Sequence, residues 1–345
     1  MNQVNPKKYN STLYFEEAVE KKGWWQSHRF LILRRLCQIT IILLFALPIS
    51  GVNSVLVSNQ EEASPDLTAI FLDNLKNEDD VRNDQLWIMK GTLANSEILS
   101  TVPMGDPFVF VQSLVAGNLY TLSGILGVGL VVLLYMIVGG RTYCSFVCPI
   151  NIVTDAAAWV RRQLKITNQL SLSKRARFYI LGIAILVSMI FQVIAWELIN
   201  PITGIFRELV FGGFTITNIA VSLTLVIFIA DIIGAANLWC GHLCPVGAFY
   251  SLLGKKTVLY ISAPKISACD DCMDCYKVCP ESHVLKPLIQ NKKIYIEESI
   301  IPSVGFSDCT RCGRCIDVCP ERVFSYDIST QHSPIKQSKP KAKVS

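Results

Sequence analysis

Residues 269–280 read Cys-Asp-Asp-Cys-Met-Asp-Cys-Tyr-Lys-Val-Cys-Pro, and residues 309–320 read Cys-Thr-Arg-Cys-Gly-Arg-Cys-Ile-Asp-Val-Cys-Pro. Both are C-x2-C-x2-C-x3-C-P. Three cysteines spaced this tightly wrap one cube of iron and sulfide. The fourth, followed by a proline that turns the chain away, reaches the neighbouring cube. The spacing therefore assigns Cys269, Cys272, Cys275 and Cys319 to one [4Fe–4S] cluster, and Cys309, Cys312, Cys315 and Cys279 to a second. Zinc sites pair C-x2-C units and do without the third cysteine and the proline. Two clusters side by side make an electron relay, and this stretch offers no substrate pocket of its own.

The rest of the chain is of another kind. Hydrophobic residues make up 51% of the 345 and charged residues only 17%, against roughly 25% charged in a typical soluble domain. The mean hydropathy is +0.39. With thirteen cysteines, this excludes a soluble globular enzyme, a disordered chain and a small secreted disulfide scaffold. The net charge of +5 is modest, and no nucleic-acid partner is expected. Four apolar runs approach the roughly 20 residues that a membrane-spanning helix needs. They are Leu36–Val57, Leu119–Val138, Phe178–Trp196 and Thr215–Ala236, the last containing Asp231. Arg34 and Arg35 precede the first run, and no small-residue cleavage site follows it, so it reads as a retained span.

Lys and Arg are distributed unevenly among the connecting segments. Residues 1–35 and 139–177 carry seven each, whereas 58–106 carries three and 197–214 only Arg207. Positive charge stays on the cytoplasmic side, so both termini and the middle loop are expected there, in a multi-pass protein of a bacterial inner membrane. The expected organisation is a cytoplasmic segment at 1–35, a four-helix transmembrane domain at 36–257, a two-cluster ferredoxin domain at 258–328 and a basic, disordered tail at 329–345. The fold class is an all-α membrane bundle of four helices in two pseudo-repeats, with a C-terminal α+β ferredoxin-like domain. The acidic stretch Glu61–Asp84 reads as a solvated insert.

The pseudo-repeat rests on a second cysteine pattern. Tyr143-Cys144-Ser145-Phe146-Val147-Cys148-Pro149 closes the second span, and Trp239-Cys240-Gly241-His242-Leu243-Cys244-Pro245 closes the fourth, 96 residues on. Each is an aromatic residue followed by C-x3-C-P. A span pair ending in this motif occurs twice, and pseudo-twofold packing would bring the four thiols together on the cytosolic side. If the motif is helical, each i, i+4 pair shares one helix face. Three readings stay open for Cys144, Cys148, Cys240 and Cys244: buried free thiols, a dithiol–disulfide relay, and a tetrathiolate metal or iron–sulfur centre. Cys37 stands alone and reads as core. None of the four histidines lies within a span, so membrane-buried bis-histidine haem is excluded. Neither a Walker loop nor a G-x-G-x-x-G before a helix is present.

Together these features resemble the NapH family, the membrane iron–sulfur subunits of periplasmic nitrate reductase systems. The likeness extends to Glu20-Lys21-Lys22-Gly23-Trp24-Trp25, Ser27-His28-Arg29 and Leu33-Arg34-Arg35-Leu36-Cys37-Gln38. It includes Thr101-Val102-Pro103 with Asp106-Pro107, Trp196-Glu197 with Ile199-Asn200-Pro201, and Trp239 through Ala248. It covers about residues 16–325, and the acidic stretch near 53–86 departs from it. The resemblance implies an electron-transfer subunit of a quinol dehydrogenase complex, drawing on the membrane quinone pool. Its partners would be a NapG-like periplasmic iron–sulfur protein, a multihaem cytochrome and periplasmic nitrate reductase. Relatives with the same layout include a regulator of nitrous oxide reductase and a copper-reducing oxidase-assembly factor, which keep a maturation or regulatory role as the alternative. A quinol site needs an apolar slot, a hydrogen-bonding partner and a proton acceptor. Its candidates are Glu197 and Asn200 beside Trp196, Asp106 beside Pro107, and Asp231.

Overall fold

The computed structural model describes residues 16–60, 89–91, 95–98, 102–118, 120–166, 170, 172–211, 219–255, 257–304 and 307–328. Most of the acidic insert and the tail at 329–345 lie outside these residues. The chain forms two compact units. One comprises Ile39–Val131 and Ile185–Thr224; the other comprises Met1–Gln38, Val132–Ala184 and Leu225–Ser345.

In the first of these units, strands β1 (Met89–Gly91), β2 (Asn95–Ile98) and β3 (Val102–Gly105) form an antiparallel meander, with Met89 opposite Ile98 and Asn95 opposite Gly105. Asp106 then starts the helix Pro107–Val115, its carboxylate accepting the Phe108 N–H at 2.8 Å, with Pro107 at the first helical position. An acidic cap and a proline at that position are favoured because neither leaves a donor unsatisfied. Phe108 packs on Trp196 with ring centroids 6.3 Å apart. The buried Gln112 amide oxygen accepts the Trp196 backbone N–H at 3.2 Å. Asn200 caps the helix Pro201–Phe211 by accepting the Ile202 N–H at 3.0 Å, and Glu197 accepts from the Asn200 amide at 2.9 Å. Asp106, Glu197 and Asn200 are thus engaged as local helix-end partners.

The other unit holds both cysteine patterns. Strands β4 (Leu259–Ser262) and β5 (Ser325–Ile328) pair antiparallel, with Leu259 opposite Ile328 and Ser262 opposite Ser325. Between them the cysteine loops surround a core that includes Ile261, Ile266, Leu285, Leu288, Val323 and Phe324. The N-terminal helices Glu16–Lys22 and Trp24–Gln60 reach this core through their early residues. Lys22 donates to the carbonyls of Ile316 and Asp317 at 2.9 and 2.8 Å, and the Asp317 carboxylate accepts the N–H groups of Phe30 and Leu31 at 3.1 Å each. The helix Ile150–Gln163 buries Ile150, Thr154, Ala157, Ala158 and Arg161, the spacing of one helix face.

The four apolar runs are helical, the first inside a longer helix and the other three shorter than expected. The second, third and fourth are Leu122–Val138 (17 residues), Ala176–Phe191 (16) and Ile219–Ile233 (15). At 1.5 Å per residue these reach about 22–26 Å, against a hydrocarbon core of about 30 Å. The third run was expected to continue to Trp196, but Gln192 takes a left-handed backbone (φ 54°) and Trp196 sits in a separate turn, Ala195–Leu198. The second helix ends where Gly139 adopts φ 113°. The first run lies in the 37-residue helix Trp24–Gln60, whose side chains are described only as far as residue 44. Among the described residues no helix is long and apolar enough to cross a membrane.

Candidate metal centre

The two ferredoxin motifs follow one backbone path. Asp271 and Met273 have positive φ (58° and 65°), as do Arg311 and Gly313 at the matching positions (51° and 74°). Each path leads into a five-residue helix, Asp274–Val278 or Arg314–Val318. Each helix ends on an extended cysteine, Cys279 (ψ 123°) or Cys319 (ψ 112°). That extended ending sends the fourth cysteine away from its own loop. Cys275 lies within electrostatic reach of Cys272, Cys319 and Cys269, and Cys315 within reach of Cys312, Cys309, Cys279 and, across the two motifs, Cys275. Cys319 thus lies beside the first motif's cysteines and Cys279 beside the second's. Cys269, Cys272, Cys275 and Cys319 line one cavity with Leu288, Ile289 and Phe324.

The donor chemistry fits a polynuclear thiolate-bound group. Burial, then the Asp270 and Asp274 carboxylates, pushes the Cys272 thiol up to about 12. Burial also raises Cys269, Cys275, Cys279, Cys309, Cys315 and Cys319. Thiols that hold their protons this firmly ionise together only when a positive guest replaces those protons, which is how metal binding couples to deprotonation. Among the described residues no three His, Cys, Asp or Glu side chains close on a single ion. The first quartet instead rings a cavity.

The C-x3-C-P segments converge as well, by a route the i, i+4 expectation missed. Each is a π-turn, Tyr143–Val147 or Trp239–Leu243, and not a continuing α-helix. The Cys148 N–H bonds the Tyr143 carbonyl at 3.0 Å and the Cys244 N–H bonds the Trp239 carbonyl at 2.9 Å, both spanning five residues. Cys148 and Cys244 then turn extended (ψ 121° and 115°) as the following proline opens the next helix. Cys148 lies within reach of Cys144 and Cys244, and Cys240 within reach of Cys244, Cys148 and Cys144. Burial pushes Cys244 up to about 12. Packing here is tight: a Cβ on Gly140 would meet the Tyr250 carbonyl oxygen at 1.8 Å, so only glycine fits.

Comparison with known proteins agrees with both patterns. The 4Fe-4S dicluster domain family matches residues 268–323, and the 4Fe-4S binding domain family matches twice, at 120–167 and 216–266, once on each C-x3-C-P repeat. The ferredoxin-type protein NapH of Haemophilus influenzae is 38% identical over 92% of this chain and 96% of its own length. Its Escherichia coli namesake is 36% identical over 92% and 95%. The chain belongs to the NapH family of ferredoxin-type proteins. The methylamine utilization ferredoxin-type protein MauN of Methylorubrum extorquens is 36% identical over 89% of this chain and 92% of its own. No solved structure matches. This NapH-type chain is an iron–sulfur electron-transfer protein.

Two ion networks in the NapH-type chain escaped the sequence reading. Glu281, just after Cys279-Pro280, is buried and accepts from Arg141 at 2.6 Å, Lys174 at 2.9 Å and Arg177 at 3.3 Å. Burial pushes this carboxyl up, but Arg141, His283 and Lys174 outweigh it and hold it well below the usual carboxylate range. Arg141 also donates to the Asp308 carbonyl at 2.9 Å and the Cys240 carbonyl at 3.2 Å, and Arg177 reaches the Asp308 carboxylate at 2.5 Å. One buried arginine thus touches the segments flanking Cys279, Cys309 and Cys240. In the second network Asp155 accepts from Arg35 at 2.6 Å, Arg34 at 3.5 Å and Arg314. The available signal was position: Arg141 lies three residues before a C-x3-C-P, and Glu281 directly after a C-P. Asp231 is fully buried and accepts the Trp239 N–H at 3.0 Å through one oxygen.

Proposed function

We propose that this NapH-type chain spans the cytoplasmic membrane four times with both termini inside. It takes electrons from quinol and passes them through two [4Fe–4S] clusters toward a periplasmic nitrate reductase, with a NapG-like partner. The observation that carries this reading is the cavity lined by Cys269, Cys272, Cys275 and Cys319 within the segment that matches the 4Fe-4S dicluster domain family. Cys269, Cys272, Cys275 and Cys319 hold one cluster, and Cys309, Cys312, Cys315 and Cys279 the other. Bound there, the clusters store and release single electrons. Cys144, Cys148, Cys240 and Cys244 act as further redox thiols or hold a further thiolate-bound centre at the inner ends of the spans. The membrane assignment is supported by the Lys and Arg asymmetry. It is supported also by apolar side chains left exposed on the span helices, among them Leu126 and Leu133, Leu186 and Ile190, and Val226, a pattern that suits lipid contact.

A second reading is that the electrons serve a different system. The near-equal match to a relative named for methylamine utilization favours it. The experiment is to purify the full chain anaerobically from membranes, count iron and follow its EPR signals on adding a quinol analogue. The expected result is about eight irons per chain and clusters reduced by the quinol. In Cys272→Ser about half the iron should be lost. Full iron in that variant would overturn the ligand assignment. Clusters that quinol cannot reduce would overturn the quinol role. Unimpaired nitrate-dependent growth of a deletion strain would transfer the role to the second system. Reporter fusions near residues 165 and 205 test the orientation.

A further inference from the structure

The two motifs match position for position with an offset of 40 residues, and at three matched positions the charge reverses. Asp271 stands where the second motif has Arg311, and Asp274 where it has Arg314; Lys277 stands where it has Asp317, whose carboxylate is turned to the Phe30 and Leu31 N–H groups. The environments follow that reversal. In the first quartet Cys272 faces Asp270 and Asp274, and Cys269 faces Lys292 and Asp271. Two of these three carboxylates pair with lysines, Asp271 with Lys292 at 3.1 Å and Asp274 with Lys277 at 3.3 Å, and Asp270 accepts the Cys272 N–H at 3.3 Å. The Asp271 side chain is 52% exposed, so water screens it further.

In the second quartet Cys312 lies within electrostatic reach of Arg34 and Arg314, Arg314 also reaches Cys279, and Cys309 faces Arg311 and Arg141. Three guanidinium groups there, from Arg34, Arg35 and Arg314, share the single carboxylate of Asp155. Arg311, 1% exposed, donates to the carbonyls of Leu259 and Cys309 and to the Thr257 hydroxyl. Reduction adds a negative charge to a group already negative through its thiolates. Burial works against that added charge. Cations fixed in the same low-dielectric interior work for it, and each acts more strongly than a screened surface charge. Glu281 faces Cys279 in the second quartet but is already shared by Arg141, Lys174 and Arg177, so positive charge stays in excess there, while carboxylates at least match the lysines around the first, and the cations decide the order.

We propose that Arg314, with Arg34 and Arg311, gives the cluster held by Cys309, Cys312, Cys315 and Cys279 the higher reduction potential of the two. The first electron to enter the pair then rests on that cluster. A quinol-class donor would give up two electrons, one to each cluster, and release two protons to water on becoming the quinone; no bond forms or breaks at the cysteines. The inference deepens the function proposed above and rests on its ligand assignment.

The test is a potentiometric EPR titration of the full-length protein with anaerobically reconstituted clusters and dithionite as reductant. Iron per chain and the number of EPR signals are read first. One signal with half the expected iron in the wild type would overturn the ligand assignment, and the proposal with it. With both clusters present, the signal left in Cys272→Ser should titrate at higher potential than the signal left in Cys312→Ser. The same or the reverse order overturns the proposal alone. Should either serine variant fail to fold, Arg314→Gln carries the test. It should lower the upper midpoint by about tenfold in electron affinity, about 59 mV for one electron. Arg314→Lys should restore most of that, and Asp274→Asn should raise only the lower midpoint. Midpoints unchanged by Arg314→Gln overturn the proposal. A merely structural role for Arg314 would alter stability in both arginine variants without ordering the midpoints by charge.

Discussion

The loops 269–280 and 309–320 trace the same backbone, with left-handed residues at the same two positions and the same extended fourth cysteine. Their surroundings differ throughout. Cys309, Cys312, Cys315 and Cys319 are all buried, whereas Cys269, Cys272, Cys275 and Cys279 are only half-buried. The second loop lies under the N-terminal helix, where Phe30 packs on Tyr326 with centroids 5.1 Å apart and Asp317 is held by Phe30 and Leu31. The first loop meets its surroundings through paired surface charges. The comparison separates two demands: thiol reach dictates the backbone, and whatever covers the loop dictates the side chains between the cysteines.

The largest expected effect comes from removing a ligand on each side. Cys272→Ser and Cys312→Ser should each cost about half of the roughly eight irons, but Cys312→Ser should also destabilise the fold. Without its cluster the second site keeps buried guanidinium groups and loses the negative guest that balances them, a loss of about 3–5 kcal/mol by analogy with a broken buried ion pair. Denaturant unfolding of both variants checks this. Equal stability in the two would remove the electrostatic part of the contrast.

Asp155→Asn sharpens the same point without touching a ligand. Burial pushes the Asp155 carboxyl up, but Arg314, Arg34 and Arg35 hold it below the usual range. Removing it strands Arg34, which is 2% exposed, and should cost about 3–5 kcal/mol. Asp274→Asn, at the position matching Arg314, should cost less, about 1 kcal/mol, because it loses one flexible lysine partner on the same short helix, itself 19% exposed, and strands no guanidinium. A larger loss for Asp274→Asn would reverse the assignment of which loop depends on charge.

Matched positions should also respond with opposite sign to backbone changes. Gly313 has φ 74°, and a Cβ there would meet Phe30 at 2.5 Å. Gly313→Ala should cost about 1–3 kcal/mol. Met273 holds the same conformation with a side chain, φ 65°, so Met273→Gly should stabilise by up to about 1 kcal/mol. Thermal melts of the two variants moving in the same direction would show that the shared backbone is not what limits either loop.

The ferredoxin half was legible because its information is local. Cysteine spacing and a following proline mark both motifs, and the dicluster domain family matches the same stretch, 268–323. The C-x3-C-P repeat was legible as a repeat, but its π-turn was not, since i, i+4 spacing fits an α-helix equally well until Cys148 and Cys244 are seen extended. Helix ends were misjudged wherever a single residue such as Gln192 leaves the helical region inside an apolar run. The arginine networks were invisible because Arg141 and Glu281, or Arg34 and Asp155, lie more than 100 residues apart. Counting lysines and arginines by loop had already given them a different role, as orientation signals.

The smallest expected effect concerns a group that the second loop lacks altogether. His283 follows the first motif and bridges Asp308 at 3.1 Å and Glu281 at 3.3 Å; forty residues on, Val323 is buried in the core. Hydrogen bonds to Asp308 and then Glu281 raise the imidazole above its ordinary value of 6.5, against a smaller opposing effect of burial. Folding therefore favours the charged ring. Its contribution is fully present below the unfolded value, about 6.5, and is lost as pH rises through the higher folded value. The ring is 38% exposed, so screening keeps the effect within the range of a surface ion pair, under about 1 kcal/mol. Unfolding midpoints taken from about pH 6 to about pH 9 should fall for the wild type and stay flatter for His283→Gln, the curves meeting at the alkaline end. Parallel curves would mean that His283 is held by shape alone, and that the first loop, like the second, owes nothing to a titrating group at this position.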